Sequence, residues 1–176
     1  MAELLRSPGV KPVAWFNDID GGHLTAEVSN EAARKLYRGG ITLYLQEVPE
    51  LVPIGDEIAR ALKVPRHNIV CALFCNQRGA RTRAHFDAVD TLTLQLKGSK
   101  RWRLAPNELA PHPTDSWGTL DGSEKKAELW QYGHDELPAT MPAGAEEFLL
   151  EPGAMLNVPR GFWHETESDE ESVSLH

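Results

Sequence analysis

Cysteine is scarce: Cys71 and Cys75 are the two in 176 residues. Four positions apart on a strand, they would sit about 13 Å from each other, too far for a disulfide. A disulfide-stapled secreted module is therefore excluded, and the pair reads as reduced, buried thiols of a cytosolic protein. No apolar run approaches the roughly 20 residues of a membrane span, and residues 1–11 lack a signal-peptide pattern. Basic excess is missing too: the net charge is −8, which argues against a general nucleic-acid binder. An acidic surface leaves a basic partner open, although such surfaces commonly serve solubility alone. There is no internal repeat and no dividing linker. With a quarter of the residues charged and 41% apolar, wholesale disorder is excluded. These absences leave a soluble, cytoplasmic, single globular domain over residues 1–176.

Many short strand patterns are present. Residues 1–23 carry Pro and Gly with little periodicity and read as an irregular lead-in. Ser29–Tyr37 reads as a short helix capped by Ser29 or Asn30 and stopped at Gly39-Gly40. Ile41–Val48 alternates like a strand. Pro53–Leu62 is amphipathic and reads as a second helix ended by Pro65. Ile69–Cys75 is a continuous apolar run, hence a buried strand, and Thr82–Asp87 is another. Thr91–Lys97 alternates strictly and, with a Gly98-Ser99 turn and Lys100–Leu104, reads as a hairpin. Phe148–Leu150, Met155–Val158, Phe162–Thr166 and Glu171–Leu175 are further short strands, with Pro-Gly turns between. The expected fold is mainly β: a barrel or sandwich with helices confined to the first third. Residues 1–65 are then a helical lead-in with the first strand. Residues 66–176 form the barrel core, interrupted by a long 106–145 insertion. That insertion carries Trp117, Trp130 and Tyr132. It is either a lid or a segment packed onto the barrel by its aromatic residues.

His85-Phe86-Asp87 is the sharpest local feature. Alternate residues of a strand face one side, so an imidazole and a carboxylate at i and i+2 can grip one ion. The motif alone is weak, and His134-Asp135-Glu136 repeats it between Gly133 and Pro138, where no strand would aim the side chains. A second element strengthens the first. In Glu151-Pro-Gly-Ala-Met-Leu-Asn-Val-Pro-Arg-Gly-Phe-Trp-His164 two turns bracket a strand, and His164 follows 79 positions after His85. Two histidines and one carboxylate on one face of an octahedron leave three positions open, an arrangement suited to non-haem Fe(II). The alternative for His164 is a histidine packed on Trp163 and satisfied by a backbone carbonyl.

The stretch from His85 through Asp87, Asp90, Gln95, Gly98 and Lys100 to Trp102, together with the Val-Pro-Arg-Gly-Phe-Trp-His164 element, resembles the JmjC-type 2-oxoglutarate oxygenases. It is similar above all to their ribosomal-oxygenase-like, cupin-4 branch, and to the asparaginyl hydroxylase that inhibits hypoxia-inducible factor. The segment from Leu36 to Leu45 is similar to the same branch. The resemblance implies a double-stranded β-helix (cupin or jelly-roll) fold, with His85, Asp87 and His164 as iron ligands. It places a basic residue fifteen positions beyond the first histidine, here Lys100, on the distal carboxylate of 2-oxoglutarate. The alternative is a solvated surface lysine. Thr82 matches a threonine that contacts the cosubstrate in some members. Thr91 and Thr93 share parity with the ligands and either line the pocket or form the wet face of the hairpin, with Leu92, Leu94 and Leu96 in the core. Trp102 reads as a packing residue. Where the branch commonly offers an Asn and a Tyr to the pocket, this sequence has Cys71 and Leu73.

The implied activity is hydroxylation, with succinate and CO2 as co-products. The implied substrate is a protein or peptide side chain, with a small molecule as the alternative. A homodimer is among the implied assemblies. Two other readings stay open: a non-oxidising metal-binding cupin, such as an isomerase or sensor, and a silent barrel used for interaction. Lys100 favours the oxygenase, because a cupin isomerase needs no anchor for a distal carboxylate.

Overall fold

The computed structural model describes residues 4–7, 9–17, 23–118, 138 and 140–176. Its strands, in chain order, are β1 (Lys11–Asn17), β2 (His23–Glu27), β3 (Thr42–Gln46), β4 (Leu73–Asn76), β5 (Arg81–Phe86), β6 (Thr91–Lys97), β7 (Lys100–Ala105), β8 (Trp117–Gly118), β9 (Glu146–Leu150), β10 (Met155–Val158), β11 (Trp163–Glu167) and β12 (Ser172–Leu175). Helix α1 (Asn30–Arg38) lies between β2 and β3, and α2 (Val52–Leu62) between β3 and β4. Among the described residues the strands form two antiparallel sheets, ordered β10-β6-β12-β4-β3-β1-β2 and β8-β5-β11-β7-β9. From β4 to β7, and again from β9 to β12, each successive strand changes sheet. That winding is the double-stranded β-helix, or jelly roll. No helix among the described residues is long and apolar enough to cross a membrane.

Local chemistry accounts for the helices. The Ser29 hydroxyl accepts the Ala32 amide at 3.2 Å and caps α1, an interaction worth about 1 kcal/mol. The helix then lays Ala33 and Tyr37 onto Leu43 and Leu45 of β3 and Leu73 and Cys75 of β4. Helix α2 ends at Leu62, as expected, because Lys63 turns left-handed (φ 56°).

Three expectations need correction. The lead-in is not irregular: β1 and β2 pair with each other, and β1 also pairs with β3, which extends the larger sheet. Pro12 hides the strand in the sequence, yet it lies one residue from the strand's start, where a missing N–H is tolerated. The run Ile69–Cys75 becomes a strand only at Leu73. Arg66 Nη1 donates to the Ile69 carbonyl at 2.6 Å and holds a 3-10 turn ahead of it. Finally, β6 and β7 do not form a hairpin. Both edges of β6 are taken by β10 and β12, and both edges of β7 by β11 and β9. The Gly98-Ser99 turn therefore carries the chain from one sheet to the other. Gly98 has φ 62°, and a Cβ there would stand 2.1 Å from the Glu171 carbonyl oxygen, so only glycine fits this corner.

Crossing between sheets also decides which face of β6 is inside. Thr93 and Gln95 are fully buried, while Leu92 and Leu96 are about half exposed (47% and 45%). The polar side of the strand points into the barrel and the leucines point out, the reverse of the wet-face alternative. An apolar cluster of Trp102, Leu104, Leu150 and Val158 joins the two sheets.

Candidate metal centre

Strand β5 ends in His85 and Phe86, and β11 begins Trp163-His164. The two strands pair antiparallel with His85 and His164 as Cα partners. Each histidine thus owes its place to a backbone ladder. The turn before β11 is pinned to the first motif: the Gly161 amide donates to the Asp87 carbonyl at 2.9 Å, and the Arg160 amide donates to Asp90 Oδ1 at 3.0 Å. These bonds draw sequence-distant motifs into one cluster.

Ligand-type atoms of His85, Asp87 and His164 all lie within 4.8 Å of one another. Asp87 Oδ2 is 3.9 Å from His85 Nε2 and 3.6 Å from His164 Nε2. Each Nδ1 lies against a backbone carbonyl, Arg83 O at 2.8 Å and Phe162 O at 3.0 Å. With Nδ1–H donating there, each Nε2 lone pair is free to face the carboxylate side. Burial drives His164 down to about 3, and the neighbouring His85 acts in the same direction. His164 is thus a neutral imidazole, and its contact with Asp87 is not an ion pair. Two imidazole nitrogens and a carboxylate oxygen converging in this way fit one divalent ion. The His164 ring also stacks on Trp102, centroids 6.0 Å apart.

All three residues line a cavity of about 460 Å³ between the sheets, within the usual range for a small-molecule site. Lys100 lines it too. It is 3% exposed, not solvated. Its Nζ donates to Ser174 Oγ at 2.8 Å and lies 5.8 Å from the Phe74 ring centroid. It makes no ion pair among the described residues, and burial lowers it to about 8. Thr82 and Thr91 also line the cavity. Thr82 and His85 are three apart and should face opposite ways. A bulge between them restores the parity, since Thr82 pairs with Thr166 while His85 pairs with His164. Thr93 is buried beside the cavity rather than on its wall, and its hydroxyl lies 3.2 Å from His176 Nε2.

Leu73 does not face this cavity. It packs with Cys75 in the core beneath α1, and Cys71 packs against the same core. The β4 residue of opposite parity, Phe74, lines the cavity, joined by Tyr44 of β3, Trp15 of β1 and His176. The sequence reading missed these four. Tyr44 was detectable from the alternation of Ile41–Val48, but His176 carried no signal beyond its distance from Ser174. Trp117 is buried against Phe86 and Trp163, so the described part of the insertion packs onto the barrel. Trp130, Tyr132 and His134-Asp135-Glu136 lie outside the described residues.

A family model for the JmjC domain matches residues 54–176. The chain belongs to the JmjC-domain family. It is 30% identical over 130 residues to the uncharacterized protein YxbC of Bacillus subtilis, covering 73% of this chain and 39% of that protein. It is 33% identical over 93 residues to the bifunctional lysine-specific demethylase and histidyl-hydroxylase NO66 of Drosophila grimshawi, covering 52% of this chain and 11% of that one. The fold matches the ribosomal oxygenase YcfD of Escherichia coli in complex with cobalt and 2-oxoglutarate. The TM-score is 0.60 at 19% identity, over 99% of this chain and 41% of that chain. This JmjC chain thus spans well under half the length of these relatives.

Proposed function

We propose that this protein is an Fe(II)- and 2-oxoglutarate-dependent oxygenase that hydroxylates a side chain of a protein or peptide. The observation that carries the reading is Lys100, a buried ammonium with no ion-pair partner among the described residues, on the wall of the same cavity as the three converging ligands. An uncompensated buried cation is costly, and a carboxylate delivered by a ligand relieves that cost. Histidine and aspartate would hold the iron on one side of the cavity. Lys100 would receive the distal carboxylate of 2-oxoglutarate on another, with Thr82 and Thr91 as hydroxyl contacts along the wall. Thr93 would act from behind that wall, through His176. When bound, the iron and 2-oxoglutarate supply the oxidising chemistry, with succinate and CO2 as co-products. The protein's own part is to hold His164 neutral, aim both Nε2 atoms, and enclose the site.

A protein substrate is supported by the histidyl-hydroxylase and ribosomal-oxygenase descriptions of similar proteins. A small-molecule substrate remains the second reading, since the cavity itself is of small-molecule size. The test is an anaerobic titration with Fe(II) and then 2-oxoglutarate, watching the weak visible charge-transfer band. The band is expected in the wild type and absent in Lys100→Ala at the same cosubstrate concentration. Iron uptake with no band in the wild type would leave a metal-binding cupin of another kind. Peptide libraries, followed by mass analysis for a gain of one oxygen, then identify the substrate class.

A further inference from the structure

Behind Lys100 lies a hydrogen-bonded cluster that the metal site does not use. Lys100 Nζ donates to Ser174 Oγ at 2.8 Å. Ser174 Oγ lies 3.0 Å from His176 Nε2, and the same nitrogen lies 3.2 Å from Thr93 Oγ1. An ammonium can only donate, so Ser174 accepts from Lys100. The hydroxyl proton of Ser174 is then free to point at His176 Nε2, the direction we assign, with Nε2 carrying the lone pair. His176 is therefore a neutral imidazole with its proton on Nδ1, a tautomer assigned from the network. A proton on Nε2 would instead be donated to Ser174 or Thr93 and would leave the Ser174 hydroxyl proton without this acceptor.

The surroundings favour that state and hold it still. Burial, with the Lys100 charge adding in the same direction, drives His176 down to about 3. Its ring packs against Phe74, centroids 4.7 Å apart, and against Trp102 at 5.8 Å. Its backbone is bonded both ways to Ala72, at 2.9 and 2.8 Å. A rigid, uncharged acceptor thus ends a one-way chain from Lys100 through Ser174. Without that acceptor the Ser174 hydroxyl can rotate, and the Lys100 stem, with four rotatable bonds, loses its fixed end.

We propose that His176 is a positioning residue for the cosubstrate: by accepting from Ser174 it holds the Lys100 ammonium where the distal carboxylate of 2-oxoglutarate is received. The inference rests on the cosubstrate reading above. Because His176 stays neutral, Lys100 is the one charged group of this hydrogen-bonded cluster.

The test is 2-oxoglutarate binding to the Mn(II)-loaded protein by calorimetry. His176→Phe keeps a ring but removes the acceptor, and should weaken binding about tenfold, the scale of one hydrogen bond to a charged network. His176→Gln restores an acceptor and should bind within about threefold of wild type. Ser174→Ala and His176→Phe should not add, because they break one chain. Mn(II) affinity should stay unchanged throughout. Wild-type cosubstrate affinity in His176→Phe, or additive losses with Ser174→Ala, would overturn the positioning role. Nitrogen-15 chemical shifts of His176 in the wild type give a check that needs no variant. Protonation at Nδ1 is expected, and protonation at Nε2 would overturn the proposal. A wild type that binds Mn(II) but no 2-oxoglutarate overturns the cosubstrate reading itself, and this inference with it.

Discussion

His85 and His164 face each other across the β5–β11 ladder, ring centroids 3.9 Å apart and tilted by 52°. Two imidazoles this close to one carboxylate would form a preorganised ligand set. The chain around them is fixed by main-chain pairing rather than by the side chains themselves, so a ligand can be removed without dissolving the barrel.

A melting experiment follows from that. Mn(II) or Fe(II) at a hundredfold excess over its dissociation constant should stabilise the native protein by about 2.7 kcal/mol, seen as a rise in Tm. His164→Ala and Asp87→Ala should abolish the rise while leaving a cooperative metal-free transition. A metal-dependent rise that survives in Asp87→Ala would place the ion elsewhere.

Glycine corners give a second prediction. Gly98→Ala forces a Cβ to 2.1 Å from the Glu171 carbonyl oxygen, which is backbone and cannot swing aside. Gly153 has φ 91° but nothing within 4 Å of an added Cβ. Gly153→Ala should therefore cost about 1–2 kcal/mol from the left-handed conformation alone, and Gly98→Ala distinctly more. Urea midpoints compare the two. Equal costs would mean that the corner relaxes freely.

How much of this was legible can be argued from the same residues. The metal-binding pattern was readable because i, i+2 spacing on a strand and a histidine after a Pro-Gly turn are local signals. The partnership of His85 with His164 was read from the two motifs occurring together and reinforced by the resemblance, since no local rule connects positions 79 apart. What local patterning misjudged was the sheet change at Gly98. Alternation in Thr91–Lys97 says that one face is buried, but not which. A strand ordinarily hides its leucines, whereas here Thr93 and Gln95 are the buried side chains of β6 and the rule inverts. Parity alone would turn Thr82 away from His85; the resemblance singled it out, and a bulge brings it to the cavity wall. Pro12 concealed β1, and His176 became meaningful only when folding set it beside Ser174 and Thr93.

The inverted face of β6 is itself testable. Leu96→Lys places a charge on a half-exposed outer position and should change stability by less than about 1 kcal/mol. Thr93→Val keeps the volume but deletes the hydroxyl beside His176, and should cost about 1–2 kcal/mol. Chemical denaturation of the two variants separates the readings. A larger loss from Leu96→Lys than from Thr93→Val would mean that the leucines are inside after all.

Lys100 makes the sharpest prediction, because its charge is both costly to the fold and needed by the proposed ligand. Burial lowers it from the ordinary 10.5 to about 8. The folded chain therefore releases this proton before the unfolded chain does. Between pH 8 and 10.5 the unfolded state binds more protons at this site, so this group's contribution to stability rises with pH across that window. Below pH 8 the ammonium persists and the fold carries its full desolvation cost. Lys100→Met removes the cost, and should be more stable than wild type near pH 7, with the gap closing as pH rises past 8. Cosubstrate binding should move in the opposite sense. An anionic carboxylate needs the ammonium, so the wild-type affinity for 2-oxoglutarate should fall as pH rises through about 8, whereas a solvent-exposed lysine would hold it to about 10. Measuring Kd for 2-oxoglutarate and the unfolding free energy over the same pH series tests both signs on one residue. If Kd stayed flat from pH 7 to 9.5, Lys100 would not be the group that receives the carboxylate, however well it is placed.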